Sequence, residues 1–136
     1  MRFVPTILCV DDDEDDLLFV KEAIQSQDHQ FNIMAANSGQ EAIMYLKDCL
    51  DREELPCLVI MDINMPGMDG KQAIKKIREI SQLQQVPIAV FTTSSQLSDQ
   101  KYFEGSGIHF FTKPFDYKVF KNKIIEVLAF CAALNP

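Results

Sequence analysis

Residues 57–70 read CLVIMDINMPGMDG: five apolar residues, an acid, and then a loop rich in proline and glycine. An apolar run with no polar alternation marks a strand covered on both faces, as in a parallel sheet with helices on either side. The acid that ends the run, Asp62, therefore stands at the carboxyl edge of a buried strand. Behind the loop, Asp69 and Gly70 open a segment in which Ala73, Ile74, Ile77 and Ile80 recur at helical spacing.

Working outward, runs of strand length rich in β-branched or aromatic residues occupy 6–10, 31–35, 57–62, 87–92 and 108–112. Helical spacing fills the intervals. Leu17, Val20 and Ile24 form the first stripe, and Ile43, Leu46 and Leu50 form the second behind a Ser38-x-x-Glu41 capping box. A weakly periodic segment over 97–104 ends at Gly105 and Gly107, and a fifth helix carries Phe120, Ile124, Val127, Leu128 and Cys131 and reaches almost to Pro136. Strand and helix alternating five times predict an α/β fold: a doubly wound, five-stranded parallel sheet with right-handed crossovers and five helices.

A chain of 136 residues, 47% apolar, suits a single domain over 1–136. No stretch approaches the roughly 20 apolar residues of a membrane span, and the start MRFVPTILCV lacks the features of a signal peptide, so a cytoplasmic protein is expected. A net charge of −7 and a pI near 4.7 argue against a nucleic-acid surface. Cys9, Cys49, Cys57 and Cys131 have no C-x-x-C spacing and read as reduced core residues, while His29 and His109 have no metal-like or triad-like companion.

Open parallel sheets bind ligands outside the carboxyl ends of their strands, where strand order reverses. Those ends carry Asp11 and Asp12 after the first strand, and Asp62 and Asn64 after the third. Thr92 closes the fourth strand, with Thr93 and Ser94 behind it, and Lys113-Pro114 closes the fifth. Two unit charges about 4 Å apart repel by on the order of 4 kcal/mol at an effective dielectric of 20. The carboxylates therefore need a counter-ion, and a hard divalent cation such as Mg²⁺ suits them because it shares its remaining positions with phosphate. Lys113 and Thr92 supply a cation and a hydroxyl for phosphoryl oxygens. The metal pair is Asp11 with Asp12, or Asp12 with Asp13, according to register. Asp13, Glu14, Asp15 and Asp16 fall at the start of the first helix and read as a solvated cap favoured by the macrodipole.

In order and spacing, ILCVDD, LVIMDINMPGMDG, IAVFTT and FFTKPF resemble the receiver domain of two-component response regulators over essentially the whole chain. The resemblance implies a flavodoxin-like sheet of order 2-1-3-4-5, and with the fifth helix reaching almost to Pro136 a stand-alone receiver without an output domain is expected. It makes Asp62 the phosphoacceptor, taking a phosphoryl group from a sensor histidine kinase or a histidine phosphotransfer protein. Asp12 and Asp62 then hold Mg²⁺ directly, Asn64 through its backbone carbonyl and Asp11 through a metal-bound water. Thr92 and Lys113 contact the phosphoryl group, and a cis Lys113–Pro114 bond aims the lysine.

Thr92 and Phe110 form the switch, Phe110 lacking the hydroxyl of the tyrosine common at its position. Thr93 stands where receivers usually carry a small residue. Output is expected on the face of the fourth helix, fifth strand and fifth helix, by homodimerisation or partner binding, with Val119 and Phe130 as its apolar residues. Two other readings compete. Asp11, Asp13, Asp15 and Glu22 match the acidic positions of a calcium loop, but Asp16 stands where that loop needs glycine. Asp11 and Asp13 also form the D-x-D of a haloacid-dehalogenase-like phosphatase, an aspartate-nucleophile enzyme that needs a later acidic pair where this chain has TTSS.

Overall fold

The computed structural model describes residues 4–27 and 30–131. His29 and the last five residues, which the expected fifth helix enters, lie outside them. The elements run β1 (Thr6–Val10), α1 (Glu14–Gln25), β2 (Asn32–Ala36), α2 (Gly39–Arg52), β3 (Leu58–Met61), α3 (Gly70–Glu79), β4 (Ile88–Thr92), α4 (Leu97–Tyr102), β5 (His109–Thr112) and α5 (Tyr117–Leu128). The strands are all parallel in the order β2-β1-β3-β4-β5, as expected.

Alternation along the central strands divides the core into two layers. Ile7 and Cys9 of β1, Ile60 of β3 and Phe91 of β4 face α1 and α5, meeting Val20, Ile24, Phe120 and Ile124. Leu8, Val10, Val59 and Met61 face the opposite way, onto Leu46 of α2 and Ile74 and Ile77 of α3. Each such aliphatic side chain contributes roughly 1.5–3 kcal/mol on burial, which is why β3 tolerates no polar residue along its length.

Helix starts follow local chemistry. Asp13, Ser38, Asp69 and Asp116 each accept backbone N–H groups at the openings of α1, α2, α3 and α5. Ser38 accepts the Glu41 N–H at 3.1 Å, the expected half of its capping box, while the full reciprocal box forms between Asp69 and Gln72.

Three expectations need correction. α5 stops at Leu128, where the Ala129, Phe130 and Cys131 N–H groups turn back to Glu126, Val127 and Leu128 carbonyls three residues behind. Phe130 consequently leaves the helix and stacks on His109 with ring centres 3.5 Å apart, while Val119 stays exposed on α5. The four cysteines are not all reduced: Cys57 and Cys131 are joined as a disulfide, Cα atoms 5.1 Å apart, while Cys9 and Cys49 are free and buried. A helix returning against a parallel strand brings its C-terminal end to the strand's beginning, which is where Cys57 stands.

The MPGMDG loop is shaped by its glycines. Gly67 has φ +74°, the left-handed region that glycine enters without a Cβ penalty. At Gly70 the requirement is space, since a Cβ there would lie 2.2 Å from the Asp62 carbonyl oxygen and 2.7 Å from the Ile63 Cα. The Gly70 N–H donates to the Ile63 carbonyl at 2.8 Å, so the start of α3 is pressed onto the backbone that carries Asp62. Gly70→Ala is expected to lower the unfolding free energy by about 2 kcal/mol or more, measured by urea denaturation, because backbone must move on one side or the other.

Candidate functional site

Each candidate residue at a strand end keeps its backbone in the sheet. Asp11 follows β1 and donates its N–H to the Ala36 carbonyl at 3.1 Å; Asp62 follows β3 and donates to Val10 at 2.9 Å; Lys113 follows β5 and donates to Thr92 at 2.6 Å. The ladder therefore extends one residue past the strands and fixes where these three side chains leave the sheet. Because the register sets Val10 against Met61, Asp11 and Asp62 emerge side by side.

One carboxylate oxygen from each of Asp11, Asp12 and Asp62 lies within 4.8 Å of the others, with Asp11 and Asp62 buried and Asp12 exposed. Asp12, not Asp13, is the acid that lies with Asp11 and Asp62 in this group. Asp13 is committed elsewhere, its Oδ1 accepting the Asp15 N–H at 2.9 Å and the Asp16 N–H at 3.2 Å as the α1 cap. Asn64 is exposed in the turn after β3 and donates its N–H to Asp62 Oδ1 at 3.4 Å.

Lys113 supplies the positive charge. Its side chain is only 4% exposed, and its ammonium donates to Asp11 Oδ2, to Asp16 Oδ2 at 2.8 Å and to Asp62 Oδ2 at 3.5 Å. The Lys113–Pro114 bond is trans, correcting the expected cis geometry. The lysine reaches the pocket without it, because the hydrogen bond to Thr92 holds its backbone in strand conformation.

Burial pushes the Asp11 carboxyl up from 3.8 to about 6, against the hydrogen bond and charge of Lys113, which pull it down. For Lys113, burial acts to lower the ammonium, but the charge of Asp62 and the hydrogen bond and charge of Asp11 outweigh it and hold the group above its ordinary value. Burial, reinforced by the charge of Asp11, also pushes the neighbouring Cys9 thiol up to about 12, so it stays protonated.

Thr92 is fully buried at the end of β4, and its Oγ1 accepts the Ser94 N–H at 3.3 Å. Phe110 is half-buried on β5, its ring 6.2 Å from that of Phe103 at the end of α4. The loop after β4 is clasped to two helices: the Asp99 carboxylate of α4 takes hydrogen bonds from Ser94 and from Lys71 of α3, whose ammonium also sits 4.8 Å above the Tyr102 ring. Those two bonds, Lys71 first, hold the Asp99 carboxyl below its usual range.

The sequence reading omitted Asp16 from the site. Its signal lies in the period: Asp16, Val20 and Ile24 are spaced by four, and the last two are buried, so the acid sits above the inward stripe of α1. The calcium and phosphatase readings find no support, since Asp13 caps a helix, Asp15 lies in its first turn, and the hydroxyls of Thr93 and Ser94 follow β4 where the phosphatase places acids.

The Asp11 shift has a consequence for stability. Between its unfolded value of 3.8 and its folded value of about 6, the folded chain binds more protons at Asp11 than the unfolded chain. That contribution to stability is present at low pH and is lost as pH rises through the window. In urea denaturation across pH 4 to 7, the wild type is expected to lose stability relative to Asp11→Asn up to about pH 6 and to run parallel with it above.

The chain matches the family described as Response regulator receiver domain over residues 7–125. It is 30% identical over 124 residues to Protein PilH of Pseudomonas aeruginosa, a match that covers 90% of this chain and 97% of PilH. Histidine kinase P4 of Formosa agariphila is 33% identical over 126 residues, covering 90% of this chain but 8% of that protein. Among solved structures, that of the phosphorylated cyanobacterial phytochrome response regulator RcpA shares the fold with a TM-score of 0.88 at 20% identity, covering 98% of each chain. The fold, the acidic cluster beside a buried lysine and the family match agree: this chain belongs to the response regulator receiver domain family, the phosphoacceptor domains of two-component signal transduction.

Proposed function

We propose that Asp62 is the phosphoacceptor and that its donor is the phosphohistidine of a sensor histidine kinase or a histidine phosphotransfer protein. The observation that carries this reading is the Asp62 carboxylate, buried at the end of β3 between the Lys113 ammonium and the carboxylates of Asp11 and Asp12. An Asp62 oxygen attacks phosphorus as the phosphorus–nitrogen bond of the donor breaks. The imidazole nitrogen leaves with the bonding pair and is protonated by solvent. Lys113 offsets charge on the phosphoryl oxygens, and the Thr92 hydroxyl, which only accepts in its bond with Ser94, keeps its own proton to donate to one of them. Positioning and charge neutralisation supply most of the catalysis in phosphoryl transfers.

Asp11, Asp12 and Asp62 present hard oxygen donors close enough to share one ion, which fits a divalent cation and Mg²⁺ in particular. Asp12 and Asp62 would hold it through their carboxylates and Asn64 through its backbone carbonyl, with Asp11 supporting it from beside them. When bound, Mg²⁺ supplies the positive charge that lets an anionic nucleophile and a phosphoryl group approach.

Incubation with Mg²⁺ and phosphoramidate is expected to add one hydroxylamine-sensitive phosphoryl mass to the wild type and none to Asp62→Asn. A variant labelled at the wild-type rate refutes the assignment. Phosphorylation is read out on the face of α4, β5 and α5, through Thr92 and the Phe110 ring, by a coupling of roughly 1–3 kcal/mol to a second copy or to a kinase. Thr92→Ala should accept phosphate and lose most of that coupling. Light scattering and kinase pull-down, with and without beryllofluoride, measure it; equal association in both states overturns this output.

A further inference from the structure

Three carboxylates surround the Lys113 ammonium, and two of them, Asp11 and Asp62, belong to the proposed phosphoryl site. The third, Asp16, comes from the first turn of α1 and has no part in the chemistry set out above. An ammonium has three N–H donors, so Asp11, Asp16 and Asp62 together can engage all of them. The three contacts are unequal. Asp16 Oδ2 stands 2.8 Å from Nζ and Asp62 Oδ2 stands 3.5 Å away, so the ammonium leans toward α1 and away from Asp62.

The Asp16 side chain is held well enough to do this. Its backbone N–H is fixed by the Asp13 cap at 3.2 Å, and Val20 and Ile24, on the same face of the helix, are buried in the core. With a side chain 24% exposed, it reaches inward to a lysine that is itself 4% exposed. An ordinary cap acid has no such partner: Glu14 and Asp15 in the same turn are exposed.

A phosphoryl group on Asp62 would place oxygens beyond the present Oδ2 and carry more charge than the carboxylate it replaces. It would compete for the same three N–H groups. We propose that Asp16 is a positioning residue that tethers the Lys113 ammonium to the first turn of α1 in the unphosphorylated protein, and that phosphorylation must draw the lysine off this tether. The inference rests on the reading of Asp62 as phosphoacceptor. Asp16 thus opposes the phosphorylated state through Lys113, and its removal strengthens phosphoryl binding.

The test is calorimetric titration of the full chain with beryllofluoride in Mg²⁺, using wild type, Asp16→Asn, Lys113→Met and the double variant. Asp16→Asn keeps the size of the side chain and removes its charge. It is expected to raise the affinity on the order of three- to tenfold, and in the Lys113→Met background the gain should shrink below about twofold. A generic loss of negative charge near the phosphoryl site would raise affinity equally in both backgrounds, and that result overturns the inference. So does an affinity that Asp16→Asn leaves unchanged.

A second measurement needs neither metal nor phosphoryl mimic. In the metal-free protein, the proton–nitrogen NMR signal of the Lys113 ammonium should shift or broaden on Asp16→Asn, and an unmoved signal overturns the tether. Wild type that fails to bind beryllofluoride overturns the phosphoacceptor reading itself and this role for Asp16 with it, whatever the NMR signal does.

Discussion

The sheet register brings two carboxylates together, and a single buried lysine makes that arrangement tolerable. Val10 opposite Met61 forces Asp11 and Asp62 out of adjacent strands at the same level, in a place that water reaches poorly. Without a cation, two like charges would face each other there. The Lys113 ammonium, arriving from β5 on the far side of β4, is the cation the chain itself provides. A buried lysine without partners would shed its charge; the carboxylates of Asp62 and Asp11 hold the ammonium, and Lys113 in turn draws the Asp11 carboxyl down against its burial.

This mutual dependence explains why the site is assembled from strand ends. A loop would let like charges drift apart. Ladder hydrogen bonds at Asp11, Asp62 and Lys113 instead hold the backbone of each at the sheet edge, and the electrostatic tension remains available to a divalent cation or a phosphoryl group. Around this rigid edge the loops are tied with different firmness. The loop after β3 is compressed under the start of α3 at Gly70, whereas the loop after β4 is held from its side chains, by Asp99 between Ser94 and Lys71. The loop that carries Thr93 and Ser94 is thus held by hydrogen bonds, and the end of the one behind Asp62 by close backbone contact.

What was legible in the sequence was what local physics decides. An uninterrupted LVIM can only be a strand covered on both faces, so Asp62 fell at a sheet edge on pattern alone, and the stripes of α1, α2, α3 and α5 followed from their spacing. Asp16 was hidden because four acids in one helical turn look alike until the partner of one of them is known, and that partner is 97 residues away. The Cys57–Cys131 pair and the exit of Phe130 from α5 are likewise decided by packing across the domain. The trans bond at Lys113–Pro114 departs from an expectation that came with the resemblance, and strand pairing at Thr92 already aims the lysine.

The disulfide divides the chain in a way that sequence order does not. Cys57 and Cys131 close a covalent ring that contains β3, α3, β4, α4, β5 and α5, and leave β1, α1, β2 and α2 as an open arm. Asp62, Thr92 and Lys113 are on the ring; Asp11, Asp12 and Asp16 are on the arm. The acidic half of the site is thus joined to the other half by one stretch of backbone between α2 and β3, and otherwise by strand pairing, core packing and charge, none of them covalent. A single cut anywhere within the ring leaves one covalent molecule, whereas a single cut between α2 and Cys57 separates the carboxylates of β1 and α1 from the aspartate and lysine they surround.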